Sequence, residues 1–320
     1  MMNMNQKVKT DAAVSKFAEK KKIIAADFRR NKSVYFMLIP ALLFYIIFHY
    51  GPMYGALMSF TEYSPRLGIF GSQWIGFKNF SDFFSSPSFS AVLKNTLTIS
   101  ISTLILGFPA PIIFALLLNE LKNAKFSKII QNAAYLPHFI SLVVVCGLVK
   151  TFTLNTGIIT QTLTLLGFPE VTMLNYPEYF VPIYVASEIW QNMGWNSIVY
   201  LAALTAVDAS LYEAAVIDGA GRWKQTLHVT IPSILPTIVT MLILNVGSLM
   251  TVGHEKILLL YNDSTLEVAD VISTYSYRKG LLEQSWGFSA AVGLFNSCIN
   301  LILLVVANTV SKKINETSLW

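Results

Sequence analysis

The residues that could do chemistry fall into two groups. The first, Glu188-Ile-Trp-Gln-Asn-Met-Gly-Trp-Asn196, places an acid, three amides and two indoles next to an otherwise apolar run. Polar groups in hydrocarbon are expensive unless they face a cavity or a partner. Trp190 and Trp195 offer flat apolar rings beside the donors and acceptors of Gln191, Asn192 and Asn196. That combination suits a sugar, which has an apolar ring face and a hydroxyl rim. The same amides would also serve to bond helix to helix. Glu188 is read as pairing locally, with proton carriage as the alternative.

The second group is Ser210 to Pro236, SLYEAAVIDGAGRWKQTLHVTIPSILP, a polar island between two long apolar stretches. Ser210 and Glu213 have the spacing of a capping box, which predicts a helix start. Leu211, Ala214 and Ala215 follow at i, i+3 and i+4 and give a small apolar face that another surface could approach. Gly219 supplies the stop, since a residue without Cβ turns left-handed cheaply. A second short helix is expected over Trp223 to His228, with Pro232 and Pro236 redirecting the chain into the next apolar stretch.

Other chemistry is missing from the sequence. No Gly-x-x-x-x-Gly-Lys-Ser/Thr occurs, and Gly219-Ala-Gly221 lacks the strand that would make it a phosphate loop. The histidines at 49, 138, 228 and 254 have no metal-ligand spacing, so no metal site is expected. No nucleophile stands at a plausible distance from a base. Cys146 and Cys298 both fall in apolar stretches and read as small filler.

Glu213-Ala214-Ala215, three residues, Gly219, nine residues, then Val229-x-Ile231-Pro232 resembles the EAA loop of bacterial ABC importer permeases, whose usual ending is Ile-x-Leu-Pro. Further stretches resemble the polysaccharide branch of carbohydrate permeases: His49 to Gly55, Gln73-Trp-Ile-Gly-Phe-Lys-Asn-Phe80 and Tyr135-Leu-Pro-His-Phe-Ile-Ser141. The aromatics in the first two could also form an interfacial belt. The resemblance implies an all-α integral membrane permease of six transmembrane helices with both termini cytoplasmic. Its coupling segment would include Leu211, Tyr212, Glu213, Ala214, Ala215, Asp218, Gly219 and Pro232, docking on a cytoplasmic ATPase. Its substrate-facing candidates would be Trp190, Gln191, Asn192, Trp195 and Asn196, with Thr251, His254 and Glu255 at the end of the fifth span, where related permeases carry asparagines. The implied partners are a second homologous permease, two ATPase subunits that hold ATP and Mg, and an extracellular lipid-anchored solute-binding protein. The implied cargo is an oligosaccharide or polysaccharide fragment; no cofactor belongs to this chain and no nucleic acid is involved. A proton-coupled secondary sugar transporter using Glu188 is the competing reading, and a membrane scaffold without cargo is a third.

The elements that must position these residues follow from composition. The 320 residues are 54% hydrophobic and 13% charged, with a mean hydropathy of +0.54; a soluble domain carries about 25% charged residues. Stretches free of Asp, Glu, Lys and Arg run over 33–61, 95–119, 129–149, 189–207, 225–254 and 284–311. Each reaches the roughly 17 to 25 residues that a bilayer-crossing helix needs. Six spans are therefore expected within residues 33–311, with the coupling loop at 208–232. The Pro- and Gly-containing end of the first should kink, and Leu266 to Tyr277 is read as a short helix at the membrane surface.

With a cytoplasmic N-terminus, 16 of the 23 Lys and Arg fall inside, as the positive-inside rule prefers. Residues 1–32 are read as a cytoplasmic segment, disordered at first. A basic amphipathic helix then follows, with Val14, Phe17, Ala18, Ile24, Ala25 and Phe28 on one side. The first span is too long for a signal-peptide core and is expected to be retained. Residues 312–320 form the cytoplasmic tail.

Overall fold

The structure is a computed structural model that describes residues 27, 28, 30–315 and 317–320. The expected basic amphipathic helix falls almost wholly outside them. The chain divides into two units, Met1–Leu57 and Met58–Trp320.

The first unit holds helix α1, Lys32–Tyr45, with Pro40 inside it. A π-helical turn, Ile46–Tyr50, and a single α turn, Gly51–Met53, follow. The expected kink is thus a change of hydrogen-bond pattern, the wider turn accommodating the chain just before Pro52.

In the second unit a two-stranded antiparallel ribbon pairs β1, Thr61–Glu62, with β2, Gln73–Trp74. Asn79 fastens it: its buried amide nitrogen donates to Ser59 O at 2.9 Å and Thr61 O at 3.1 Å. The Trp-x-Gly-x-x-Asn-Phe stretch therefore has a structural task. Phe60, Phe77 and Phe80 pack as a trio beside it.

Helix α2, Phe89–Gly107, runs into α3, Pro109–Asn119, to make one apolar span of 31 residues. Helix α4, Ala124–Tyr135, starts on Asn123, whose side chain accepts from the N–H groups of Lys125 and Phe126. It then bends by 101° into α5, Leu142–Phe152. The third apolar stretch is thus a broken span rather than the single transmembrane helix expected. Its α5 half, 11 residues long, reaches only about 16 Å, short of a bilayer core of about 30 Å. The cause is local: Pro137 sits in a 3-10 turn, Leu136–Phe139. Ile140 and Ser141 are extended, and the Ser141 hydroxyl caps the new helix at Val144 N.

Helix α6, Pro177–Thr205, is 29 residues long and carries the amide-rich stretch. At Gly194 it meets α4 backbone to backbone: a Cβ there would fall on the Ala134 carbonyl. After a 70° bend comes α7, Ala209–Ile217. Residues Arg222–Gly247 make one apolar helical stretch, comprising a short turn, a π turn at Thr226–Thr230 and α8, Ile231–Gly247. The separate helix expected over Trp223 to His228 is absent as such. Pro232 lies in the first turn of α8, and the π turn directly before it accommodates the missing N–H and the crowding that a proline ring imposes on the preceding carbonyls, so the helix runs on without the redirection expected at Pro232 and Pro236.

Beyond α8 the chain folds inward. Helix α9, His254–Leu260, and α10, Ile272–Tyr277, bury Lys256, Ile257, Leu260, Ile272 and Tyr275. The segment expected at the membrane surface is thus packed inside, because α2 supplies polar anchors for it. Asn95 Nδ2 donates to the carbonyls of Glu267 (2.7 Å) and Asp270 (3.0 Å), and the Thr96 hydroxyl accepts from Ile272 N (3.0 Å). Helix α11, Trp286–Asn315, closes the fold. Among the described residues, four helices are long and apolar enough to cross a membrane, and up to six spans result if each bent pair counts as one.

Three apolar clusters hold the second unit. One gathers Ala115, Tyr200, Leu204 and Ile234 near α7. Another packs Val145, Phe180, Tyr184, Ile257 and Leu260 around α9, with Cys146 as a small buried member. The third centres on Phe83, Met250, Tyr275 and Val292. Cys298 is exposed.

Candidate functional site

A cavity of about 720 Å³ opens among α2, the α4–α5 bend, α6, the end of α8 and α9. Glu188, Asn192 and Asn196 recur at i, i+4 and i+8 and so share the face of α6 that meets it. Gln191 joins them, and Thr251, His254 and Glu255 come from the other side. Six of the eight sequence candidates are therefore brought together.

Trp190 and Trp195 do not line the cavity. Trp190 is two positions from Glu188, hence about 200° round the helix, and points away. Trp195 instead stacks flat on the His138 ring, with centroids 4.6 Å apart and planes 4° apart, and meets Phe139 edge-on. It supports His138, which does line the cavity.

One wall of the cavity is a connected polar chain. His138 Nδ1 lies 3.0 Å from Asn192 Oδ1, Asn192 Nδ2 donates to Glu188 Oε1 at 2.6 Å, and Lys256 Nζ donates to Glu188 Oε2 at 2.7 Å. The Lys256 ammonium also stands 4.9 Å from the centre of the Tyr184 ring. This chain ties three elements, the bend, α6 and α9, into one unit. Glu188 therefore pairs locally. Lys256, 3% exposed at its side chain, is buried at the end of this chain of contacts. A lone acid beside a span was the signal that called for it.

The loop before α9 is held from α11. Asn300 Oδ1 accepts from Met250 N and its Nδ2 donates to Thr251 Oγ1, both at 2.9 Å. Asn300 is thus glue between elements, whereas Asn296 keeps its buried Oδ1 unpaired among the described residues.

The second site is α7 and its turn. Asp208, not Ser210, is the N-cap: its extended backbone (φ −64°, ψ 125°) lets the carboxylate accept from Ser210 N at 2.9 Å. That hydrogen bond, and one from the Ser210 side chain, hold the Asp208 carboxyl below its usual value of 3.8. The expected capping box does not form, so Glu213 is exposed and free of cap duty. At the other end Ala220 N donates to Ala215 O (2.8 Å) and Gly219 N to Val216 O (3.0 Å), with Gly219 at φ +74°. This is a Schellman stop, and it needs the left-handed residue that the sequence supplies.

Leu211, Val216 and Ile217 are 48%, 62% and 86% exposed, with Ala214 and Asp218 uncovered between them. Tyr212 and Ala215 are half-buried and Pro232 is exposed. Tyr212 Oη is 3.0 Å from Thr230 Oγ1 in the π turn, and Gln225 Nε2 donates to Ala220 O at 2.7 Å. Arg222 approaches Glu120 at the end of α3 at 3.8 Å, but both are largely exposed, so that pair contributes little.

The family described as binding-protein-dependent transport system inner membrane component matches residues 88–316. Protein LplB of Bacillus subtilis is 42% identical over 296 residues, 92% of this chain and 93% of its own. The polygalacturonan/rhamnogalacturonan transport system permease protein YteP of the same organism is 41% identical over 311 residues, 97% of each chain. Among solved structures, a chain of a bacterial ABC transporter involved in the import of the acidic polysaccharide alginate matches with a TM-score of 0.83 and 42% identity, over 91% of this chain and 99% of that one. The alginate transporter solved with an alginate pentasaccharide-bound periplasmic protein matches equally well over 92% of this chain.

Proposed function

The chain belongs to the binding-protein-dependent transport system inner membrane components, and on that footing we propose that it is the permease subunit of an ATP-driven importer for an oligosaccharide or polysaccharide fragment. The full-length likeness to a chain of the alginate transporter, at 42% identity and a TM-score of 0.83, carries this reading. Two permeases, this one and a similar partner, would sit on two ATPases that hold ATP and Mg, and would receive cargo from an extracellular lipid-anchored binding protein. Both termini and α7 face the cytoplasm in this arrangement, which agrees with the Lys and Arg balance. The exposed face around Leu211, Ala214, Val216 and Ile217 docks on the ATPase, where apolar area removed from water contributes about 25 cal/mol per Å². ATPase closure then moves α7, and the Tyr212–Thr230 contact passes the motion to the α8 span, opening the cavity alternately to either side.

The reading in which Glu188 carries protons has nothing in its favour, since both carboxylate oxygens are engaged by Asn192 and Lys256. The test is uptake of oligosaccharide by cells that express the complete system. Uptake should stop on ATP depletion and survive collapse of the proton gradient. The opposite pattern, or purification without a nucleotide-hydrolysing companion, would overturn the proposal.

A further inference from the structure

Ser100 and Thr103, neighbours at i and i+3 on α2, both line the cavity, and neither hydroxyl oxygen has a hydrogen-bond partner among the described residues although both are shut off from water. Buried Ser and Thr in helices ordinarily bond the carbonyl four residues back. Thr96 does so to Val92 O at 2.6 Å, and Thr153 to Val149 O at 2.8 Å. Ser100 and Thr103 forgo that bond, and an unpaired polar group in such surroundings is costly enough to require a reason. On α6, Gln191 and Asn196 line the same cavity and form no side-chain hydrogen bond among the described residues. The cavity therefore has two unlike walls. His138, Asn192, Glu188 and Lys256 satisfy one another, whereas Ser100, Thr103, Gln191 and Asn196 are left for something else.

The charges limit what that something is. Among the described residues, Lys256 is the sole Lys or Arg lining the cavity and is neutralised by Glu188, while Glu255 adds a second carboxylate. Of the two histidines on the lining, His138 is turned to Asn192 and His254 lies against the Tyr277 ring, so among the described residues a carboxylate ligand would meet no unpaired Lys or Arg, and desolvating an unpaired carboxylate is heavily penalised. A sugar hydroxyl, which both donates and accepts, fits two hydroxyls and two amides. Ser and Thr side chains turn between staggered wells about χ1, so each oxygen reaches the cavity by one rotation.

We propose that Ser100, Thr103, Gln191 and Asn196 form a subsite for an uncharged, hydroxyl-rich ring of the cargo, a neutral pyranose unit, and that this subsite disfavours a uronate ring. The inference rests on the importer reading above.

The test uses cells expressing the complete transporter and matched trisaccharide pairs that differ only at C6, CH2OH against COO−: glucose with glucuronate, galactose with galacturonate, mannose with mannuronate. The ratio of neutral to uronate uptake is read within each transported pair, because lost expression or folding scales both members alike. Wild type should favour the neutral member. The double variant Ser100→Ala, Thr103→Val removes hydroxyls that bond nothing in the protein, so it should fold normally; with the C6 hydroxyl of the neutral ring as the group they seat, the ratio should fall by about threefold or more, the worth of one to two neutral hydrogen bonds. Glu188→Gln, which unpairs Lys256, should move the ratio further toward the uronate. A wild type that favours the uronate, or a double variant with an unaltered ratio, overturns the subsite alone. If no pair enters by an ATP-dependent route, the importer reading falls and the subsite with it.

Discussion

The Tyr212 hydroxyl and the Thr230 hydroxyl lie 3.0 Å apart, joining the exposed helix α7 to a π turn at the foot of an apolar span. Thr230 is 2% exposed, so this is a buried end for a half-buried tyrosine. Tyr212→Phe should cost about 0.5 to 1.5 kcal/mol of local stability and reduce the ATPase stimulation that accompanies transport, with the complex still assembled. Thr230→Val should do the same. The double variant should be little worse than Thr230→Val alone, because both remove the shared bond and Thr230→Val also removes the longer one to Gln225 O, at 3.4 Å. Full additivity in that cycle would show that the two hydroxyls are not partners.

The ion pair of Glu188 and Lys256 is asymmetric: its side chains are 31% and 3% exposed. Glu188→Gln strands a fully buried ammonium, for which a cost of about 3 to 5 kcal/mol is usual. Lys256→Met leaves a carboxylate that water and Asn192 can still reach, and should cost less. Thermal unfolding of the purified complex should rank Glu188→Gln below Lys256→Met, with Glu188→Gln, Lys256→Met recovering much of the loss. The reverse ranking would contradict the burial argument.

Gly219 has φ +74° and open space where a Cβ would stand. Substitution there is penalised by backbone conformation alone, about 1 to 2 kcal/mol for an ordinary side chain. Gly219→Ala and Gly219→Leu should therefore impair coupling of ATP hydrolysis to transport to similar degrees, and Gly219→Asn should retain most of it. Were Leu far worse than Ala, a docked surface rather than the turn would be the constraint.

The Asp208 cap carries a sign in pH. Its carboxyl is held below the usual value in the folded protein, so its stabilisation is present above the unfolded value and is lost as pH falls through the folded one. Protection of the Ser210 and Leu211 amides against hydrogen exchange, taken relative to the intrinsic rate at each pH, should fall in acid below that range. Asp208→Asn, which keeps an acceptor without titrating, should abolish that acid dependence, and Asp208→Ala should give low protection at every pH. Unchanged exchange in Asp208→Ala would remove the cap from the account.

Much of this was readable from residue order, because the deciding interactions are local. Gly219 as a stop and the six charge-free stretches depend on neighbours within a turn or two. The convergence of Gln191, Asn192 and Asn196 on one face depends only on helical period. The cap was misplaced by two residues, since Asp208 and Ser210 are both good cap residues and the extended backbone at Asp208 decides between them. Lys256 was missed because its partner is 68 positions away. The bend at residues 139–141 hid in a stretch that is apolar throughout, where hydropathy registers length but not direction. Trp190 and Trp195 were drawn in by chemistry suited to a sugar, yet the helical period turns one away and the His138 ring occupies the other.

Where α4 crosses α6 at Gly194, no side chain cushions the contact with the Ala134 carbonyl. Set beside the break at residues 139–141, this contact is a pivot between two helical arms. A larger residue at 194 would act as a shim: it would leave both arms intact while displacing the pivot, and with it the His138 end of the cavity wall.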